Sequence, residues 1–219
     1  MVDAVRARRT FLKTSVAVGA AGICGMGSLP APAAVEAEEQ GLNVIGPKAG
    51  FTPQIGTMVS MMRWMRVNVL HSVKGMSQKD LDFLLDGKAN AIGALLMHLA
   101  ATETYYQLNT FDGMAWGSWP DAVKQKWDTA MSLGEAGRKT IKGNDLDYYL
   151  KMLQDTREKT FAEFRRRNDN WLMAIDAGWP WGPTNNYCKW FHVCEHESNH
   201  NGQIKLLAKR LPGAKGDAE

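Results

Sequence analysis

Cysteine is scarce in this chain: Cys24, Cys188 and Cys194 are the only three among 219 residues. That excludes a disulfide-stapled scaffold. A surplus of one charge is missing too. Lys and Arg number 26 against 23 Asp and Glu, and the first 33 residues hold four of those bases and one acid, so the remainder is neutral. A nucleic-acid-binding protein carries a basic field, and this composition argues against one. No segment alternates apolar and polar residues over any length, no internal repeat is visible, and there is neither a Gly-rich phosphate loop nor a nucleophile elbow. Long hydrophobic runs are absent as well. The apolar stretch between Thr14 and Leu29 is too short and too poor in Leu to span a bilayer, so no stable membrane anchor is expected. Hydrophobic residues at 45% and charged residues at 22% give the balance of a globular domain with a real core.

The start of the chain has the plan of an export signal. A polar, basic segment (Arg6, Arg8, Arg9, Lys13) precedes a weakly apolar stretch rich in Gly and Ala, and Pro30-Ala31-Pro32-Ala33 supplies an A-x-A-like cleavage site after about Ala33. Arg8-Arg9-Thr10-Phe11-Leu12-Lys13 resembles the twin-arginine signal, with Ala7 where Ser or Thr is usual. A lipoprotein reading would use Cys24, but Ile23 stands where a small residue is required. The expectation is an exported protein, periplasmic or extracellular, translocated already folded. Residues 34–50 read as a linker, 51–211 as one domain, and 212–219 as a tail.

The domain reads as helical throughout. Ile55, Met58, Val59, Met62, Met65, Val69 and Val73 recur at three- and four-residue steps from Phe51 to Lys74. Ile92, Leu95, Leu96, Leu99 and Tyr106 do the same between Ala89 and Leu108. A shorter helix is predicted over Pro120–Ile141, with proline at its first turn. A long amphipathic run follows from Asp145 to Ile175, with Arg165, Arg166 and Arg167 toward its solvated end. A last helix covers Asn185–Leu211 and is stopped by Pro212-Gly213. Four main helices predict an all-α four-helix bundle, with its many methionines filling the core.

The chemistry concentrates in histidine. His192, His196 and His200 follow one another at steps of four, and each step turns the helix by about 400°, a net drift of only about 40°. His196 and His200 are therefore placed to chelate one ion. Neutral imidazole suits zinc, nickel, iron or copper, and an open catalytic site commonly has three protein ligands. His98, inside the apolar helix, is either a hydrogen-bonded core residue or the third ligand, since bundle cores build metal sites from facing helices. His192 has drifted about 80° from His200 and is a pocket residue rather than a fourth ligand. His71 is read as a surface histidine.

Other residues near these are candidates. Glu103 lies about 140° round the helix from His98; it enters the pocket, pairs with a neighbour, accepts from a ligand imidazole, or is simply solvated. Glu197 projects about 100° from His196 and is expected at the edge of the site, and Glu195 in solvent. Gln203 is placed to hydrogen-bond a ligand imidazole. Trp179 and Trp181 either cover the end of the bundle or wall an apolar pocket over the metal, and Trp116 and Trp119 are placed to join them. Cys188 and Cys194 point about 240° apart, so they form no disulfide within the helix, and core packing is the better reading of Cys194.

His196-Glu197-Ser198-Asn199-His200 also matches H-E-x-x-H, in which the Glu is the general base of a zinc peptidase. No further His or Gly follows at the spacing of the longer peptidase motifs. Only 19 residues come after His200, too few for a distant Glu ligand. The chain also lacks the sheet edge on which peptidases align peptides.

Two stretches together resemble the DinB-like family. Asn90-Ala91-Ile92-Gly93 with Leu95-Leu96-Met97-His98-Leu99-Ala100 and Glu103 is similar to its second helix, and His196-Glu197-Ser198-Asn199-His200-Asn201-Gly202-Gln203-Ile204 is similar to the H-x-x-x-H-R-G-Q of its fourth. The segment from Arg66 to Leu81 fits its first helix and turn, so the resemblance spans about residues 51–211. Asn201 stands where a basic residue is common. The resemblance implies an up-down-down-up bundle, often a dimer, with one divalent transition metal on His98, His196 and His200. Zinc is the first expectation for that metal, with nickel, iron or manganese as alternatives. It also implies a small-molecule substrate and hydrolysis or group transfer, since related domains use mycothiol or bacillithiol in transferases and isomerases. Such thiols are scarce outside the membrane, which sets that chemistry against the export signal. A non-catalytic metal- or ligand-binding bundle of stress response is the alternative function, and the H-E-x-x-H peptidase a third.

Overall fold

The computed structural model describes residues 41–214; the segment read as an export signal lies outside them. The main helices are α1 (Pro53–Val73), α3 (Ile92–Thr110), α6 (Leu146–Phe164) and α8 (Asn186–Ala208). Shorter ones are α2 (Gln78–Leu81), α4 (Asp121–Ser132), α5 (Gly134–Thr140) and α7 (Asp169–Met173). Each start has a local cause. Pro53 sits in the first turn of α1, the Asn185 side chain caps α8 by accepting from the Cys188 amide, and Asp145 caps α6 through Tyr148. Asp169 also accepts from the backbone of Gln54 and Ile55, tying the start of α1 to α7.

Side-chain pairings fix the topology. On α3 and α6 the partners rise together: Gly93 faces Tyr149, and Gln107 reaches Thr156 and Thr160, so the two helices are parallel. On α1 and α6 they run oppositely, since Arg66 meets Leu153 while Met62 meets Arg157. The same holds for α3 and α8, where His98 meets His196 and Asn109 meets Lys189. The order is therefore up, down, down, up. A parallel pair needs a return path along the bundle, and α4 and α5 form it. A Cβ on Gly93 would lie 2.8 Å from the Tyr149 ring, so glycine permits the close approach of α3 and α6.

Two helix expectations need correction. The helix over Pro120–Ile141 is two, broken at Leu133, whose φ of 54° no helix tolerates. The run from Asp145 to Ile175 stops at Phe164, and Asn168 starts α7 by accepting from the Trp171 amide. Ile175–Asp176 then pair antiparallel with Thr184–Asn185, a two-residue ladder that holds the Trp179–Trp181 loop in shape. The last part of the linker stretch, 41–50, lies against α1: the Gly46 amide donates to the Ser60 hydroxyl, and the Lys48 backbone leaves no room for a Cβ on Gly56.

The core falls into two halves. One packs Ile55, Met58, Met62, Tyr106, Phe164 and Trp190. The other packs Val69, Val73, Leu95, Leu99, Leu153 and Ile204. Between them each main helix contributes a buried charge, Arg66, Glu103, Arg157 and Glu197, and α8 carries a second, Lys189, toward its start. Among the described residues no helix is long and apolar enough to cross a membrane.

Candidate metal centre

His98 on α3 and His196 and His200 on α8 meet through their Nε2 atoms. His98 Nε2 lies 2.8 Å from His196 Nε2, and His200 Nε2 lies 3.1 Å from the same atom. The far nitrogens explain why. His98 Nδ1–H donates to the Ala130 carbonyl at 2.9 Å, one of the carbonyls that the end of α4 leaves without a helical partner. This fixes the tautomer and leaves the His98 Nε2 lone pair facing inward. His200 Nδ1 meets Gln203 Oε1 at 3.3 Å, one turn on. Lone pairs aimed at one point repel, and hydrogen bonds among three such nitrogens cannot satisfy them all. A cation between them does. Tetrahedral zinc with bonds of about 2.0–2.1 Å needs ligand nitrogens about 3.3 Å apart, a small adjustment from the spacing found. The donor set fits a divalent transition metal ion.

Burial keeps the trio in the ligand form. Desolvation lowers the His98 pKa against the opposing Ala130 hydrogen bond. Desolvation, with the neighbouring His200, His98 and His192, takes His196 down to about 3. Desolvation and His98 take His200 to about 4, with Gln203 opposing. Metal binding requires neutral imidazole, and all three are neutral at pH 7.

The other candidates distribute as follows. His192 is half-buried, its Nδ1 2.9 Å from Glu195 Oε1 and its ring 5.2 Å from that of His196. Trp181 is 60% exposed and stands edge-on to His192 at 5.1 Å. Trp179 is buried against Tyr106, Trp116 and Trp181, and Trp116 packs in turn on Trp119. One aromatic wall thus runs from the loop to the histidines. Cys194 is buried, and burial pushes its thiol up to about 11; it is inert packing, while Cys188 and His71 are exposed.

Glu103 and Glu197 are not in the metal pocket. Both are almost wholly buried and held by arginines. Glu103 Oε1 accepts from Arg157 Nε at 2.8 Å and from Thr160 at 2.6 Å. Glu197 Oε1 accepts from Arg66 Nε at 2.8 Å. Burial raises the Glu103 pKa, but Arg157 and Arg66 outweigh it and leave the carboxylate below its usual range. Glu197 is 2% exposed and its Oε1 is taken up by Arg66 and Arg157, so it lies in the core rather than at the edge of the site and the H-E-x-x-H peptidase loses its base. Arg66 and Arg157 were not singled out from sequence. The available signal was a charge interrupting each apolar stripe, as in Met58-Met62-Arg66-Val69 and Leu150-Leu153-Arg157.

A separate cleft of about 400 Å³ lies at the opposite end of α3, lined by Asn109, Met114, Asp176, Asn186 and Lys189. Its buried polar groups are used internally. Lys189 Nζ reaches Asn109 at 2.8 Å and Asp176 at 2.7 Å and lies over the Trp179 ring. This cluster latches the tryptophan loop to the bundle.

Fold and site together define a four-helix bundle whose three-histidine group is able to hold one metal ion. The mycothiol-S-transferase family model matches residues 57–213, and the chain belongs to that family, part of the DinB/YfiT-like clan of metal-dependent, transferase-like bundles. No curated protein matches the chain.

Proposed function

We propose that the protein is a metal-dependent S-transferase that joins a low-molecular-weight thiol to a small electrophile, and that its twin-arginine-type signal exports it, so that the thiol is one supplied outside the membrane rather than a cytosolic cofactor. The convergence of three neutral imidazole Nε2 atoms on one point carries this reading; membership of a transferase-like family supports transfer over hydrolysis. A divalent ion, zinc first, would be held by His98, His196 and His200, and when bound would supply the Lewis acidity that keeps a coordinated thiol deprotonated near neutral pH. The chain's own residues do the rest. The Ala130 carbonyl and Gln203 hold two imidazoles in the ligand tautomer. Tyr106 and Trp181 pack on His192 beside the trio, and Trp116 and Trp179 back them with apolar surface. As the thiol sulfur forms the new S–C bond, the electrophile's bond to its leaving group breaks and that group departs with the electron pair, while the thiol proton leaves to solvent.

Elemental analysis of the mature protein tests the reading beside a His196→Ala/His200→Ala variant. The expected result is about one equivalent of a transition metal, lost in the variant, together with metal-dependent consumption of a small thiol in the presence of an electrophile. Bound metal without thiol consumption favours the non-catalytic bundle. No metal after reconstitution removes the transferase and any metal-binding role, and leaves a bundle that acts through another ligand.

A further inference from the structure

Glu103 Oε2, Arg157 Nη2, Glu197 Oε1 and Arg66 Nη2 close a ring of four contacts. Arg157 Nη2 donates to Glu103 Oε2 at 3.0 Å and to Glu197 Oε1 at 2.9 Å. Arg66 Nη2 donates to the same two oxygens at 3.2 and 2.6 Å. Each main helix contributes one member. The arginines are themselves fixed, Arg66 Nη1 on the Leu153 carbonyl at 2.7 Å and Arg157 Nη1 on the Met62 carbonyl at 2.9 Å.

The ring's position matters more than its charge balance. Glu197 directly follows His196 and precedes His200 by three residues. Glu103 follows His98 by five, about 7.5 Å along α3. The two acids therefore sit on the two helices that carry the ligands, at one level of the bundle. Two carboxylates placed there alone would drive those helices apart; two planar guanidiniums hold them at a set spacing. Metal sites tolerate only about ±0.2 Å in ligand distance, and supporting contacts of this kind commonly shift metal affinity 10–100-fold.

We propose that Arg66 and Arg157 are positioning residues for the histidine trio: by bridging Glu103 to Glu197 they fix the separation of α3 and α8, and so set the strength and geometry of metal binding. The proposal rests on the metal-site reading above. Lysine would keep the charge of Arg157 but cannot span two carboxylates and a carbonyl with a rigid fork.

Cobalt(II) titration of the metal-free protein tests it, with the visible cobalt bands reporting geometry, Kd from competition with a chelator, and a urea midpoint reporting stability. The variants are Arg157→Lys and the charge-balanced Arg157→Met/Glu103→Gln. The control, Lys189→Met/Asp176→Asn, breaks a different ion pair about two turns away along α8. The expected result is a Kd at least tenfold weaker and shifted cobalt bands in the folded ring variants, with a control that loses stability yet binds cobalt as the wild type does. Wild-type Kd and bands in either folded ring variant overturn the proposal, as does equal weakening in the control. If Arg157→Met/Glu103→Gln does not fold, Arg157→Lys and Arg66→Lys decide. A wild type that binds no cobalt overturns the metal-site reading itself, and with it this one.

Discussion

The histidine trio and the arginine–glutamate ring occupy the same two helices, yet burial acts on them in opposite ways. In the trio, desolvation leads and the imidazoles lose their charge, which leaves lone pairs free for a cation. In the ring, desolvation is also the largest influence on Glu103, but Arg157 and Arg66 overcome it and the charges persist. The same pairing of oppositely charged groups raises the pKa of Arg157 against its own burial. A buried polar group is therefore uninformative until its partners are known: three like bases wait for something from outside, while two acids and two bases neutralise one another, leaving only Glu197 Oε2 without a hydrogen bond. Residues 196 and 197 show how close the two regimes come. A single helical step of about 100° sends His196 to the metal side and Glu197 into the core.

The sharpest way to break this contrast is to remove one ring member. Glu197→Ala leaves two guanidiniums short of an acceptor in the core, and urea unfolding is expected to show a loss of about 3–5 kcal/mol. The trio should respond to ligand instead. Zinc at a hundredfold excess over its Kd is expected to stabilise the wild type by about 2.7 kcal/mol and to leave His196→Ala/His200→Ala unmoved, as read by the same unfolding curves. Acid separates the two clusters next. The unfolded histidines titrate near 6.5, while folded His200 and His196 resist protonation to about 4 and 3. The unfolded state thus binds more protons, and the metal-free protein should lose stability as pH falls from about 6.5 toward 4. His200→Ala should flatten that decline. The smallest effect belongs to the ring's chemistry moved to the surface. Lys139 and Glu135 pair at 2.5 Å with both side chains over 70% exposed, and Lys139→Ala should cost no more than about 0.5 kcal/mol in thermal melts.

The trio was legible in the sequence because its key spacing is local. His196 and His200 share a face by helical geometry alone, and His98 was brought to them by a motif read whole. The ring was hidden because no spacing within one helix reveals a partner on another: Arg66 and Glu197 are 131 positions apart. The four main helices followed from their apolar stripes, and the failures came where a stripe outlasted its helix. Phe161, Phe164 and Leu172 keep an apparent register across the break at residues 165–168, and Asn168 marks the new start only to a reader who weighs its capping oxygen over the apolar pattern. Leu133 gave no warning, since a leucine rarely takes a left-handed backbone.

The return path between α3 and α6 carries a second consequence. Because those helices are parallel, the chain must travel back along the bundle, and the carbonyl at Ala130 that steadies His98 belongs to that journey. The detour demanded by connectivity also orients one imidazole of the trio. Changing the length of the stretch between Phe111 and Asp145 is expected to move the Ala130 carbonyl, and with it the His98 ring, without altering any of the three histidines. The length of a connector would thus become a heritable control on what the centre holds.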